Sequence, residues 1–468
     1  MTSAPTTDAA QAEPELRDEN GALRADFVAS VARAVDAGDT DRLRDLVGNI
    51  HESDLGAVVA ALEPADRPRL VELLGFDFDF TALTELDATV REELLEELDP
   101  ETVAEGVRDI DTDDAVSILA DIPTEERNEI LGHVPPDERL ALTRSLDYPE
   151  FSAGRRMQPD FIAVTPDWNV GRIIDHLRET EDLPDRFYEL YVVDETGRFL
   201  GAVPLNRLLR AKRPVPVADL MDEGRRRVRP TETQENVARL FQRYDMVSVP
   251  VVDESEKLVG VVTFDDVADV IQEEADEDIK ALGGVTSDEE LSDTVWTISR
   301  SRFTWLLLNL STAILVAWVI SLFEESLQKM IALAVLMPIV SAMGGNAGTQ
   351  SMTVAVRALA TQELGRANAW RVIRREFAVG LLNGTAFALI LGIIAATWFQ
   401  IPDLGLVIGM AMIIVLAIAA VGGIVIPIVL VRLGVDPAVA SGPFVTTITD
   451  VVGFFSFLTI ATLWFGLS

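Results

Sequence analysis

Pro443–Leu458 reads PFVTTITDVVGFFSFL, a run of apolar and small residues with one carboxylate, Asp450, at its middle. The run belongs to the last of five apolar blocks, roughly Phe303–Phe323, Met330–Leu359, Phe377–Phe399, Leu404–Val431 and Pro437–Leu467. Each block is long enough to cross about 30 Å of hydrocarbon as a helix, so the C-terminal part reads as five membrane spans. An ionised Asp at a bilayer centre costs about 2.5–3.5 kcal/mol even on a lenient insertion scale, and is normally retained for an ion or proton path. The plainer alternative is a protonated Asp hydrogen-bonded to a neighbouring helix. Asp450 is the one acid expected inside the blocks.

Outward from that run, composition divides the 468 residues near position 300. From Trp296 onward nine Lys/Arg stand against seven Asp/Glu, so of the −37 net charge the first 295 residues carry −39. Only four basic residues are Lys (Lys212, Lys257, Lys280, Lys329). An acidic, Lys-poor surface suits a cytoplasm of molar salt, where screening offsets self-repulsion, and it makes nucleic acid an unsuitable partner. The absence of Cys excludes disulfides and thiolate metal sites. No signal peptide is expected ahead of the polar, acidic N-terminus. Arg300, Arg302, Arg357, Arg366, Arg371, Arg374, Arg375 and Arg432 cluster at alternate block ends, while Glu324, Glu325 and Asp403 mark the others. By the positive-inside rule the large N-terminal part is cytoplasmic and the C-terminus outside.

Two repeats organise the acidic part. Leu98, Ile110, Ile122, Val134 and Leu146 recur every twelve residues, as in LDPETVAEGVRD and IPTEERNEILGH. Each precedes Asp or Pro and a helix start, which predicts short helices stacked as a solenoid. Farther on, LYVVDETGRFLGAV and VPVVDESEKLVGVV place VVDE at 192 and 251, with Gly201 and Gly260 at the same offset. Each unit reads strand, turn, strand, helix and resembles a CBS module. The expected fold is therefore mixed and multi-domain. It comprises a leader at 1–20 without ordered structure, an all-α solenoid at 21–150, an α/β tandem CBS pair at 151–215 and 216–272, an acidic connecting helix and linker at 273–295, and an all-α five-span domain at 296–468.

Within the second block, PIVSAMGGNAGTQ (Pro338–Gln350) has the composition of a broken helix with exposed carbonyls. Irregular backbone is tolerated at membrane depth where it faces protein or a water-filled cavity; the alternative is small-residue helix packing at Gly344 and Gly348. Gly344, Gly345, Asn346, Gly348 and Gln350 are thus candidate pore-lining residues, joined by Thr446 and Thr447 one turn before Asp450. On the acidic helix that leads out of the second module and into the connecting segment, Asp266/Asp269 and Glu274/Glu277/Asp278 are spaced by three or four, so each group shares a face. His51, His133 and His176 show no ligand spacing, and no GxSxG, Walker A or HExxH element occurs, so no enzyme is expected.

PIVSAMGGNAGTQS in the second span, GVDPAVASGPFVTTITD entering the fifth, the paired CBS modules and the helical N-domain together resemble the MgtE family of magnesium transporters over nearly the whole chain. The resemblance implies a homodimer enclosing one pore at its two-fold axis. A hydrated Mg²⁺ would rest between the two copies of Asp450, and cytosolic domains would gate the pore in response to internal Mg²⁺. It also implies metal positions at Asp436, Asp113, Glu235, Asp245, Asp266, Asp269, Glu274, Glu277 and Asp278, with Thr233 standing where the family has an acid. CBS modules often bind adenine nucleotides, and Asp253 or Asp266 is the candidate ribose contact. The competing readings are a CBS-regulated carrier of Mn²⁺ or Co²⁺, a proton-coupled carrier using Asp450, and a non-transporting membrane sensor.

Overall fold

A helix of two turns cannot bury an apolar face against itself, and the twelve-residue period answers that need by stacking. The structure is a computed structural model and describes residues 15–180, 183–184, 186–286, 289–290 and 292–467. It divides into two compact units with the boundary between Glu273 and Glu274. The first unit opens with α1 (Ala25–Ala37), α2 (Thr40–Val47), α3 (Glu52–Ala61) and α4 (Asp66–Leu74). The repeats follow as α5 (Ala88–Glu97), α6 (Pro100–Gly106), α7 (Thr112–Ala120), α8 (Thr124–His133) and α9 (Pro136–Leu146). α6 packs on α8 and α7 on α9. Leu98, Ile122 and Val134 are buried, and Ile110 and Leu146 pack against the same core. Asp99 caps α6 by accepting from the Glu101 amide at 3.1 Å, with Pro100 in the first turn. The expected leader lies mostly outside the described residues. Its last residues depart from expectation: Leu16 packs on the core and Arg17 pairs with Asp54 at 2.5 Å.

The duplicated units fold alike. In module 1, β1 (Ala163–Val164) pairs parallel with β2 (Glu189–Val193), which pairs antiparallel with β3 (Phe199–Pro204). Helices α10 (Val170–Glu179) and α11 (Leu205–Arg210) accompany this sheet. In module 2, α12 (Gln234–Tyr244) precedes the antiparallel pair β4 (Ser248–Val252) and β5 (Leu258–Thr263), and α13 (Phe264–Leu282) follows. Val192 opposes Gly201, and Val251 opposes Gly260, with the same irregularity one residue later in both hairpins. The turns also match: Gly197 and Glu256 occupy equivalent left-handed positions. Glu256 holds that conformation with its carboxylate gripped by Arg227 and Arg229 at 2.7 and 2.6 Å. Equivalent strand starts meet across the pair. Ser248 donates to buried Glu189 at 3.2 Å, Tyr191 donates to Ser248 at 2.9 Å, and Arg225 pairs with Glu189 at 2.6 Å.

The second unit holds the apolar helices α14 (Val295–Ser321), α16 (Ile331–Ala360), α17 (Ala369–Phe399), α18 (Pro402–Arg432) and α19 (Pro437–Phe465), with short α15 (Glu324–Lys329) after the first. Among the described residues these five long helices have the length and hydropathy to span a membrane. The expected break at Gly344–Gln350 does not occur: α16 runs unbroken through it, with Pro338 also inside. In hydrocarbon a continuous helix satisfies every backbone group, which outweighs the poor helix propensity of glycine. The glycines serve contact instead. A Cβ on Gly344 would lie 2.7 Å from Val415, one on Gly348 2.7 Å from Val445, and one on Gly423 2.5 Å from the Gly348 carbonyl oxygen.

Removing Glu189 takes the carboxylate partner from the half-buried Arg225 guanidinium and leaves it the Ser248 carbonyl. We expect Glu189→Ala to destabilise the first unit by about 3 kcal/mol and Glu189→Gln by less, read as a drop in its melting transition by calorimetry on the full chain.

Candidate functional site: a membrane carboxylate and a buried acidic cluster

α16 and α19 run antiparallel in close contact, because Gly344 and Gly348 lie against Thr449 and Val445 while Gly453 lies against Val340. That register brings Ser341 beside Asp450. The Ser341 hydroxyl donates to Asp450 Oδ1 at 2.5 Å. Asp450 is half-buried, midway along α19. Gly345, one turn beyond Ser341, leaves open space where a side chain would project. Asn346 and Gln350 are exposed on α16, whereas Gly344 and Gly348 are buried between helices and line no open surface of this chain. Thr446 and Thr447 donate to the carbonyls of Gly442 and Pro443 at 3.0 and 2.6 Å. Their protons are thereby spent on their own helix, and their oxygens retain lone pairs for a cation or its waters. Asp436 caps α19, accepting from the Ala438 amide at 2.7 Å, and is exposed.

The soluble unit gathers a second set of acids. Asp113 on α7 is buried. Its Oδ2 accepts from Gln158 Nε2 at 3.2 Å, while its Oδ1 is buried and receives no donor. The Asp266 carboxyl lies within hydrogen-bonding reach of Asp113. Asp266 also accepts from the Thr263 hydroxyl at 2.8 Å. Burial, then the neighbouring Asp266 charge, pushes Asp113 well above the usual carboxylate range. Burial likewise raises Asp266 and, with Glu85 and Asp266 nearby, Asp269. Asp114 is pushed up to about 7, by burial first and then by Asp266, Asp111, Asp265 and Asp269. Two buried carboxyls side by side each disfavour the other's ionisation, and a cation between them relieves that repulsion.

The remaining expected metal positions are not assembled into these clusters. Glu235 opens α12 and pairs with Arg239 at 3.1 Å, whereas Asp245 ends the same eleven-residue helix in a left-handed cap. Roughly 15 Å of helix therefore separates them. Thr233 is the N-cap of α12, accepting from the Asn236 amide at 3.4 Å. Asp253 is committed to its turn, accepting from the amides of Ser255 and Lys257. Glu274, Glu277 and Asp278 lie on the part of α13 that belongs to the second unit, with Glu277 exposed and the other two half-buried. Among the described residues no three carboxylates or histidines form a preassembled metal centre.

Four residues escaped the sequence reading. Ser341 and Gln158 are neutral, and only the fold reveals their partners. Asp114 was one acid among many, although its position beside Asp113 in the first turn of α7 was a signal. Glu376 corrects the expectation of a single acid in the spans. α17 begins at Ala369, earlier than the apolar block, and so encloses a Glu376 side chain 14% exposed that accepts from Ser351 at 3.2 Å.

Comparison with known proteins follows the same divisions. Residues 337–460 match the family MgtE, described as a divalent cation transporter; residues 50–151 match the MgtE intracellular N domain, and residues 153–213 and 217–273 match CBS domains. The magnesium transporter MgtE of Bacillus subtilis is 34% identical over 317 residues, covering 68% of this chain and 70% of that one. That of Thermus thermophilus is 37% identical over 318 residues, with the same coverage. Among solved structures, the cytosolic domain of the Mg²⁺ channel MgtE in complex with ATP is 32% identical. It covers 52% of this chain and 99% of that one, at a TM-score of 0.48.

The raised carboxyls fix a sign for pH dependence. A folded-state pKa above the unfolded value of 3.8 means that the folded unit binds more protons in that window, so stability is full below about 4 and is lost as pH rises. For Asp114 the window runs from 3.8 to about 7. In EDTA, Asp114→Asn should flatten the fall in melting temperature across that window, removing at most ~4 kcal/mol of pH-dependent loss. Excess Mg²⁺ should flatten it in the wild type. Identical pH profiles for wild type and variant would contradict the cluster's role.

Proposed function

The chain belongs to the MgtE family of divalent cation transporters, and from that premise we propose that it conducts Mg²⁺ across the cell membrane as a homodimer whose pore is closed by cytoplasmic Mg²⁺. The observation that carries the reading is Asp450, a carboxylate midway along a membrane helix with Ser341 beside it. Mg²⁺ dehydrates reluctantly and near-octahedrally, so a pore suited to it offers outer-shell acceptors rather than a cage of direct ligands. Two copies of Asp450 facing across a two-fold axis, with Asn346, Gly345 and the Thr446 and Thr447 oxygens near it, form such a shell. The Arg-rich ends of the spans support a cytoplasmic N-terminal unit and an external C-terminus.

Regulation resides in the soluble acids. At the buried pair Asp113 and Asp266, where Asp113 Oδ1 receives no donor, a divalent ion balances the two carboxylates and ties the N-domain to module 2. Asp269 and Asp114 supply further negative charge at the same place. On α13, Glu274, Glu277 and Asp278 repel their counterparts in the second copy unless cations lie between them. In molar salt the screening length falls to about 3 Å, so direct coordination, not long-range repulsion, does the sensing. Mg²⁺ bound at these acids holds the pore shut, and its loss releases it. Adenine nucleotide at the CBS pair is a further ligand that this reading admits.

In proteoliposomes at high salt, Asp450→Ala should lower Mg²⁺ uptake by at least about tenfold; uptake at the wild-type rate would remove Asp450 from the path. The double variant Glu274→Gln/Glu277→Gln should keep transporting when Mg²⁺ on the cytoplasmic side shuts the wild type. Unaltered shut-off would move the sensor elsewhere.

A further inference from the structure

Hydroxyls in these membrane helices mostly bond back to their own helix. Ser311, Thr353, Thr385, Thr397, Thr446 and Thr447 each donate to a carbonyl one turn earlier. Ser341 does not. Its proton goes to Asp450 on another helix, 109 residues away in sequence. The close contacts of Gly344, Gly348 and Gly453 hold α16 and α19 together at this level, so the donor cannot drift from the carboxylate.

We propose that Ser341 is a specificity-determining positioning residue: by donating to Oδ1 of Asp450 it disfavours bidentate capture of a cation and biases the carboxylate toward outer-shell contact with a hydrated ion. This rests on the reading that Asp450 lies on the ion path. A carboxylate free to rotate can turn one or both oxygens onto a cation and displace its waters. Cations with looser hydration and more flexible geometry, Ca²⁺ above all, profit from that arrangement, whereas Mg²⁺ profits least because it resists dehydration. Mn²⁺ and Co²⁺ also gain from direct oxygen ligation. With one lone pair of Oδ1 committed to Ser341, symmetric bidentate capture is disfavoured and rotation of the carboxylate is restrained. The remaining oxygen accepts a hydrogen bond from a water of the intact hydrate. Ser341 touches the carboxylate rather than the ion, so its influence is on discrimination and apparent affinity.

The test is uptake of Mg²⁺, Mn²⁺ and Ca²⁺ by the full chain in proteoliposomes, for wild type, Ser341→Ala, Ser341→Thr, Ser341→Cys and Asp450→Asn. A hydrogen bond to a charged group is worth enough to change affinity by about tenfold. We expect Ser341→Ala to raise the half-saturating Mg²⁺ concentration by about that factor. The Mg²⁺-to-Ca²⁺ and Mg²⁺-to-Mn²⁺ uptake ratios should fall by at least about fivefold. Ser341→Thr, which keeps the hydroxyl, should restore both, and Ser341→Cys, a weak donor of similar size, should lie between. If Ser341→Ala does not assemble, the Cys and Thr variants carry the comparison. Equal ratios in the hydroxyl-bearing and hydroxyl-lacking proteins, with Asp450→Asn inactive, overturn the inference alone. Wild-type transport by Asp450→Asn overturns the reading beneath it as well.

Discussion

A carboxylate taken out of water must be given a proton, a donor or a cation, and the structure meets that requirement in both of its units. In the membrane, Asp450 receives the Ser341 hydroxyl, and the remaining oxygen is available to the waters of an ion. In the soluble unit, Asp113 and Asp266 are brought together with Gln158 and Thr263 donating to them, and burial pushes both carboxyls up. Desolvation that is poorly offset by fixed groups leaves a site open to a mobile charge. The same physics that makes these carboxylates costly to bury is what the proposed function draws on for their response to Mg²⁺.

The close packing of the spans follows from the same need. Ser341 can serve Asp450 only if α16 and α19 approach within reach of a short side chain, and the glycines at 344, 348 and 453 permit that approach. α18 completes the arrangement through Val415 and Gly423. Small residues at helix contacts thus set where the polar side chains meet.

Much of the fold was legible because its signals are periodic. Twelve-residue spacing gave the stacked helices, a 59-residue offset gave the duplicated hairpins, and hydropathy gave the five long helices. Asp450 stood out because one charge in a hydrocarbon-length run is rare. What stayed hidden depends on contacts distant in sequence. Ser341 looks like any membrane serine until α19 is placed beside it, and Asp113 was separable from 69 acids only by family resemblance. Of the two readings of GGNAGTQ, small-residue packing is the one the structure adopts and the helix break is not: in water those residues would fray a helix, but between packed spans they let the helices close up. Glu376 was missed because hydropathy marks where apolar residues begin, while the helix begins two turns earlier.

The central claim, that two copies of Asp450 share one ion path, is tested most directly by mixed dimers. Wild-type and Asp450→Asn chains carrying different affinity tags would be co-expressed, purified through both tags and reconstituted for Mg²⁺ uptake. A shared path predicts that one altered copy already removes most of the uptake of the wild-type dimer. Retention of half the wild-type rate by the mixed dimer would mean that each chain conducts alone, and would contradict the account.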